Sequence, residues 1–200
     1  MEYIKYGEKE LNYLKERDKN LAKVIEKYGF IKRKVIPDLF TALVHSIAQQ
    51  QISLKAANTV CSRIKTLLGD ITPESIEAAD VDELRACGLS GRKISYIKGI
   101  ARAVKSGEFN LDSLYDMSDD QVIHKLSSLP GVGVWTAEML LISSMHRLDV
   151  VSFSDLAIRR GMIKVYGLKN LTKEQFLTFR KIYSPYGTIA SIYLWAASKE

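Results

Sequence analysis

Residues 129–137 read Leu-Pro-Gly-Val-Gly-Val-Trp-Thr-Ala, and a lone acid, Asp155, follows in Ser-Phe-Ser-Asp-Leu, eighteen residues after that stretch ends. A Pro-Gly-x-Gly turn that opens directly onto a helix presents backbone N–H groups at a positive helix end. Such an end can grip an anion, for example a phosphate of a nucleic acid. A carboxylate close behind it adds a group able to stabilise developing positive charge or to activate water. The pairing therefore points to chemistry on a gripped polyanion.

The elements that must hold these groups read as helices. Residues 118–129 form one helix, Pro-Gly-Val-Gly the turn, and residues 134–146 the next. The two glycines permit positive φ and close backbone approach, so an anion would rest on the backbone of Gly131, Val132, Gly133, Val134 and Thr136. Plain αα-hairpin turns also use glycine, and the turn by itself leaves both readings open. Ser154 is a good N-cap, which sets Asp155 at a helix N-terminus where an anion is favoured. Simple helix capping accounts for such an acid equally well.

The rest of the chain has the same character. Ile94, Ile97, Ala101 and Val104 recur at helical spacing, as do Val122, Leu126 and Leu129. Ser53, Thr72-Pro73-Glu74, Ser118 with Gln121, and Thr172 with Gln175 are start signals, and Pro37 marks a first turn. Gly29, Gly69, Gly107 and Gly167 are stops. Residues 149–153 are the best candidate for a strand and read as an extended loop. The expectation is an all-α protein of about ten helices in two lobes with a cleft between them. Residues 37–130 would form the central lobe, and residues 1–36 with 131–200 the other.

Composition limits the function classes. The 200 residues are 46% hydrophobic, enough to bury a core, and carry a net charge of +6. Residues 70–84 hold six acids and no base, whereas residues 85–107 hold six bases and no acid, a segregation that suits a phosphate-facing surface. The Lys98, Arg102 and Lys105 stripe reads first as a solvated helix face. Arg92-Lys93, at the start of that helix, has the better claim to phosphate contact. Two cysteines, Cys61 and Cys87, exclude a four-thiolate zinc or iron–sulfur site and a disulfide framework. No apolar run reaches membrane-spanning length, and a soluble intracellular protein is expected. His45, His124 and His146 form no motif with metal spacing.

Leu-Pro-Gly-Val-Gly followed by a helix resembles the helix-hairpin-helix DNA-binding motif, which grips the backbone without reading sequence. Hairpin, Trp135-Thr136-Ala137 and an Asp at the start of the next helix are together similar to the helix-hairpin-helix DNA glycosylase superfamily. Within it the likeness is to the DNA-3-methyladenine glycosylase II branch, which acts on alkylated bases. Supporting matches are Ser46-Ile47-Ala48-Gln49-Gln50-Gln51-Ile52-Ser53 with Lys55-Ala56-Ala57, Gly88-Leu89-Ser90-Gly91-Arg92-Lys93, and Ser184-Pro185-Tyr186 running to Leu194-Trp195. The likeness covers residues 18–197.

The resemblance implies a role for each of these residues. Asp155 would be the catalytic carboxylate. Trp135 stands where bifunctional members resemble a lysine nucleophile, so base release without strand cleavage is expected. Trp135 and Trp195 match aromatic pocket positions suited to a cationic methylated purine, while Met139 and Leu156 replace aromatic rings of the branch. A flipped base leaves a gap that a side chain fills. The aligned wedge position resembles Gly91, which has no side chain, so Gln51 or Ile52, beside Ser53, is the substitute. The hairpin would hold a monovalent cation, Na+ or K+, on the carbonyls of Ser127, Leu129 and Gly131. No cofactor is required and no iron–sulfur cluster is expected. The partner would be double-stranded DNA with a damaged base, met by a monomer in the cytoplasm, on the nucleoid, of a prokaryote or in the nucleus of a eukaryote. A glycosylase for another lesion and a non-catalytic DNA-binding protein are the alternatives, and Asp155 counts against the second.

Overall fold

The structure is a computed structural model that describes residues 2–199. Among those residues are twelve α-helices, a 3-10 turn at Asp112–Asp116 and one two-stranded antiparallel ribbon. The fold is all-α, with a few more helices than sequence spacing resolves. The chain divides into two compact units, residues 1–35 with 141–200, and residues 36–140. The later break falls ten residues beyond the boundary drawn at 130 from sequence.

The first unit contains α1 (Glu8–Arg17), α2 (Lys19–Tyr28), α10 (Leu156–Tyr166), α11 (Lys173–Tyr183) and α12 (Gly187–Ala197). Every residue from Gly187 to Leu194 is buried, as befits a helix that is apolar or small around its whole circumference. Packed with it are Leu14, Leu21, Ile25, Ile158, Met162 and Phe176. Gly161 lies where α10 meets α12, and a Cβ there would stand 2.1 Å from the Leu194 carbonyl oxygen. The buried Asp18 caps α2 through Oδ1, and its Oδ2 accepts from Tyr166, whose hydroxyl also bonds Tyr183. Burial raises the pKa of both tyrosines above the ordinary phenol value.

Residues 148–151 form no strand. Their polar groups pair with the start of α12 instead: Thr188 N–H donates to the Leu148 carbonyl, Val150 N–H to Thr188 Oγ1, and Ser191 Oγ to the Val150 carbonyl. Asp149 accepts from Gly187 N–H and from the Ser184 hydroxyl. The ribbon, which sequence periodicity does not reveal, pairs β1 (Glu2–Tyr3) with β2 (Lys34–Val35).

The second unit holds α3 (Leu39–Ala48), α4 (Leu54–Leu68), α5 (Pro73–Ala78), α6 (Val81–Ala86), α7 (Gly91–Lys105), α8 (Asp119–Ser127) and most of α9 (Val134–Ser143). Asp38 rather than Pro37 opens α3, its carboxylate accepting from Thr41 N–H. Ser53, Thr72 and Ser118 cap α4, α5 and α8. The linear segregation of charge does not persist in space. Lys98 Nζ donates to the carbonyls of Ile76, Glu77 and Ala79 at the end of α5, Lys105 pairs with Glu77, and Arg85 pairs with Asp82. The basic run therefore reaches the acidic run beside it: Lys98 is drawn in to close the end of α5, whereas Arg102 and Lys105 lie on the solvated face that the sequence describes, Lys105 paired there with Glu77.

Candidate active site

Asp155 is set by the loop that precedes it and the helix that follows. The 148–151 segment, laced to α12, delivers Ser154 and Asp155 to the start of α10. Asp155 itself is the N-cap, with Oδ1 accepting from Ala157 N–H at 2.8 Å and Ile158 N–H at 2.9 Å. Ser154, the sequence candidate for that cap, lies one residue outside and exposed. Asp155 is only 7% exposed. A buried carboxylate is costly unless its charge is bonded; here two backbone donors and the positive end of α10 supply that compensation.

Two arginines, each stacked on an aromatic ring, lie in the same unit as this acid. Arg33 Cζ lies over the Trp195 ring, 4.8 Å from its centroid. Burial pushes the Arg33 guanidinium below its ordinary pKa, and the Asp155 carboxylate pulls it back up. One turn into α10, Arg159 stacks over Phe153 at 4.9 Å, and its Nε is buried without a hydrogen-bond partner. Leu156, the first residue of α10, is 66% exposed, an apolar side chain offered to solvent beside the acid.

The hairpin has the helix–turn–helix order that the sequence describes, with shorter helices: the first ends at Ser127 rather than at 129, and α9 at Ser143 rather than at 146. Val132 N–H closes on the Leu129 carbonyl, and the first bond inside α9 runs from Ala137 N–H to the Gly133 carbonyl. The N–H groups of the preceding turn thus have no carbonyl within the helix to bond. Val132 and Thr136 are buried, whereas Gly133, Val134 and Trp135 face outward, Trp135 at 45% exposure. Met139 is half-buried in α9. Gly131 has φ +81°, and a Cβ there would stand 2.3 Å from Tyr96 Cδ2. Gly131→Ala is expected to cost about 2 kcal/mol through left-handed strain and displacement of Tyr96. Duplex affinity should fall with it, measured by fluorescence anisotropy alongside a thermal melt; an unchanged affinity would remove the turn from DNA contact.

The hairpin turn shares a cavity of about 450 Å³ with Gln50, Gln51, Ile52, Ser90, Arg92, Lys93 and Tyr96. Three sequence signals far apart in the chain thus converge within one unit. Gln51 holds φ +58°, unusual for a side-chain-bearing residue. Two neighbours hold the loop there. Lys93 Nζ donates to the carbonyls of Ala48 and Gln50, and Gln50 Nε2 donates to the Gly131 carbonyl at 2.8 Å. Ser53, exposed, ends the loop as the cap of α4. Lys93 thereby acts as a positioning residue for the Gln51–Ile52 loop, and burial lowers the pKa of its ammonium.

Of the carbonyls assigned to a monovalent cation, Gly131 O accepts the Gln50 amide and Leu129 O accepts Val132 N–H, which leaves each a second lone pair with which to hold the ion beside Ser127.

Sequence reasoning missed Arg33, Arg159 and Gln50. Arg33 sits in Lys32-Arg33-Lys34, where nothing local distinguishes it from its neighbours. Its placement comes from the ribbon. Gln50 lies in a run of three glutamines, and only the chain fold selects which one reaches the hairpin.

Comparison with known proteins follows the same lines. Residues 44–185 match the family model described as HhH-GPD superfamily base excision DNA repair protein. Over 194 residues the chain is 36% identical to DNA-3-methyladenine glycosylase 1 of Schizosaccharomyces pombe, covering 94% of this chain and 85% of that one. The crystal structure of a DNA-3-methyladenine glycosidase from Bacillus halodurans superposes with a TM-score of 0.85 at 35% identity, covering 99% of this chain and 93% of that one. A Schizosaccharomyces pombe 3-methyladenine DNA glycosylase in complex with abasic DNA gives a TM-score of 0.85 at 35% identity, covering 96% and 97% of the two chains.

Proposed function

We propose that this chain, which belongs to the HhH-GPD superfamily of base excision DNA repair proteins, is a monofunctional DNA glycosylase that excises alkylated purines and leaves an abasic site. The observation that carries the reading is Asp155, a buried carboxylate fixed by its own cap at the start of α10 and sharing Arg33 with Trp195. A target base leaves the duplex stack at a cost of a few kcal/mol. Trp195, in the same unit as Asp155, offers it a stacking surface. Cleavage of the N-glycosidic bond sends the electron pair to the base, so a cationic methylated purine departs neutral and needs no general acid. Positive charge appears on the sugar, and Asp155 stabilises it. Water then adds at C1′ and loses a proton, completing hydrolysis.

Strand cleavage needs an amine nucleophile at the hairpin position, and Trp135 has none. The backbone of Gly133 and Val134, with Gly131 at the turn, grips phosphate without reading sequence; Val132, whose N–H is spent on the Leu129 carbonyl, and buried Thr136 stand behind it, and exposed Arg92 adds charge at the rim of the cavity. Gln51, held in its left-handed conformation, is the group we assign to the gap left by the flipped base, with Ile52 beside it. The protein acts as a monomer on duplex DNA and needs no cofactor.

Methylated duplex incubated with the protein should release free 3-methyladenine or 7-methylguanine, resolved by chromatography, while borohydride traps no covalent complex. Normal duplex binding without base release would sink the reading. A trapped complex would overturn the monofunctional assignment alone.

A further inference from the structure

One face of Trp195 is already occupied. The guanidinium of Arg33 stands 4.8 Å from its centroid, and the chain on both sides of Arg33 is pinned. Ile4 N–H donates to the Arg33 carbonyl at 2.9 Å, β1 and β2 pair Tyr3 with Lys34, and the Tyr6 hydroxyl donates to the Ile31 carbonyl. Further back, the Tyr193 hydroxyl on α12 holds the Gly29 carbonyl at 2.9 Å. The same helix carries Trp195, so the stack is an assembled feature rather than a side chain resting on a surface.

A guanidinium is a flat, delocalised cation, and so is an N-alkylated purine nucleotide. Both are drawn to the face of an indole and to a carboxylate. We propose that Arg33 is a specificity-determining residue that competes with a cationic flipped purine for that face of Trp195 and so restrains turnover of cationic lesions relative to neutral ones. The inference rests on the excision reading above. A neutral purine such as hypoxanthine keeps its O6 and N7 acceptors, which match the donors of Arg33; methylation removes the N7 acceptor of 7-methylguanine. Arg33 therefore opposes the second base and assists the first. Its charge near Asp155 also works against positive charge on the sugar. The sugar is common to both lesions, so that effect shifts both rates alike and leaves their contrast untouched.

The test compares Arg33→Gln and Arg33→Lys with the parent in single-turnover release of 7-methylguanine and of hypoxanthine from otherwise identical duplexes at sub-saturating enzyme. Removing the guanidinium should raise 7-methylguanine release about tenfold, the value of a cation–π contact of about 1.4 kcal/mol, and should lower hypoxanthine release. Arg33→Lys keeps the stem and charge without the planar stack, so its rise should be smaller. Rates that move together for the two bases, or 7-methylguanine release that rises in neither variant while both melt like the parent, overturn the assignment. A parent protein that releases neither base sinks the excision reading itself, an outcome visible before any variant is made.

Discussion

The Asp155→Asn protein is expected to bind duplex DNA like the parent and to release methylated bases slower by a factor on the order of 10² to 10⁴. Asparagine is the informative replacement because of the cap. Its amide oxygen can still accept from Ala157 and Ile158 N–H, as Asp155 Oδ1 does at 2.8 and 2.9 Å, and asparagine ranks with aspartate at this position. The start of α10 therefore survives while the negative charge is lost. Alanine would remove the cap as well, at about 1 kcal/mol, and would mix a folding defect with a chemical one. Single-turnover release, duplex titration and a thermal melt together separate the two. Base release close to the parent rate would take Asp155 out of the chemistry.

Gly161→Ala should give the largest loss of stability in the chain, about 3 kcal/mol or more. For a chain of this size that is a fall of about 6–12 °C in melting temperature. Two effects oppose each other. In an isolated helix alanine would be favoured over glycine by about 1 kcal/mol. At this site the new Cβ would meet the Leu194 carbonyl oxygen at 2.1 Å and its carbon at 2.8 Å. That oxygen belongs to helix backbone and accepts from Ser198 N–H, so it cannot swing aside as a side chain would. The clash outweighs the propensity, and α10 must separate from α12. A parent-like melt would mean that the two helices cross less closely than described.

Local signals were legible and non-local ones were not. Caps at Ser53, Thr72, Ser118 and Thr172 depend on residues within one turn, so the sequence shows them directly. At Ser154-Asp155 two good capping residues are adjacent, and the one that caps lies one position later than sequence preference indicates. The ribbon is illegible for a different reason. Each strand is two residues long and its partner is about thirty residues away, so no alternation exists to be read. Arg33 inherits that difficulty. Lys98 misleads because the carbonyls it closes lie about twenty residues upstream, where a linear reading sees only a separate acidic block. The loop from Gln49 to Ser53 is intermediate. Its composition marks it, but the bonds from Lys93 and Gln50 that fix Gln51 come from the fold.

The two hydrogen bonds that aim Asp155 are also the bonds that begin α10. Oδ1 is held only while Ala157 and Ile158 keep helical geometry. A copy of the chain whose tenth helix has frayed at its start loses both of these bonds to the carboxylate. The aim of the carboxylate is thus a property of the folded helix start, and melting the first turn of α10 and losing those two bonds are one event.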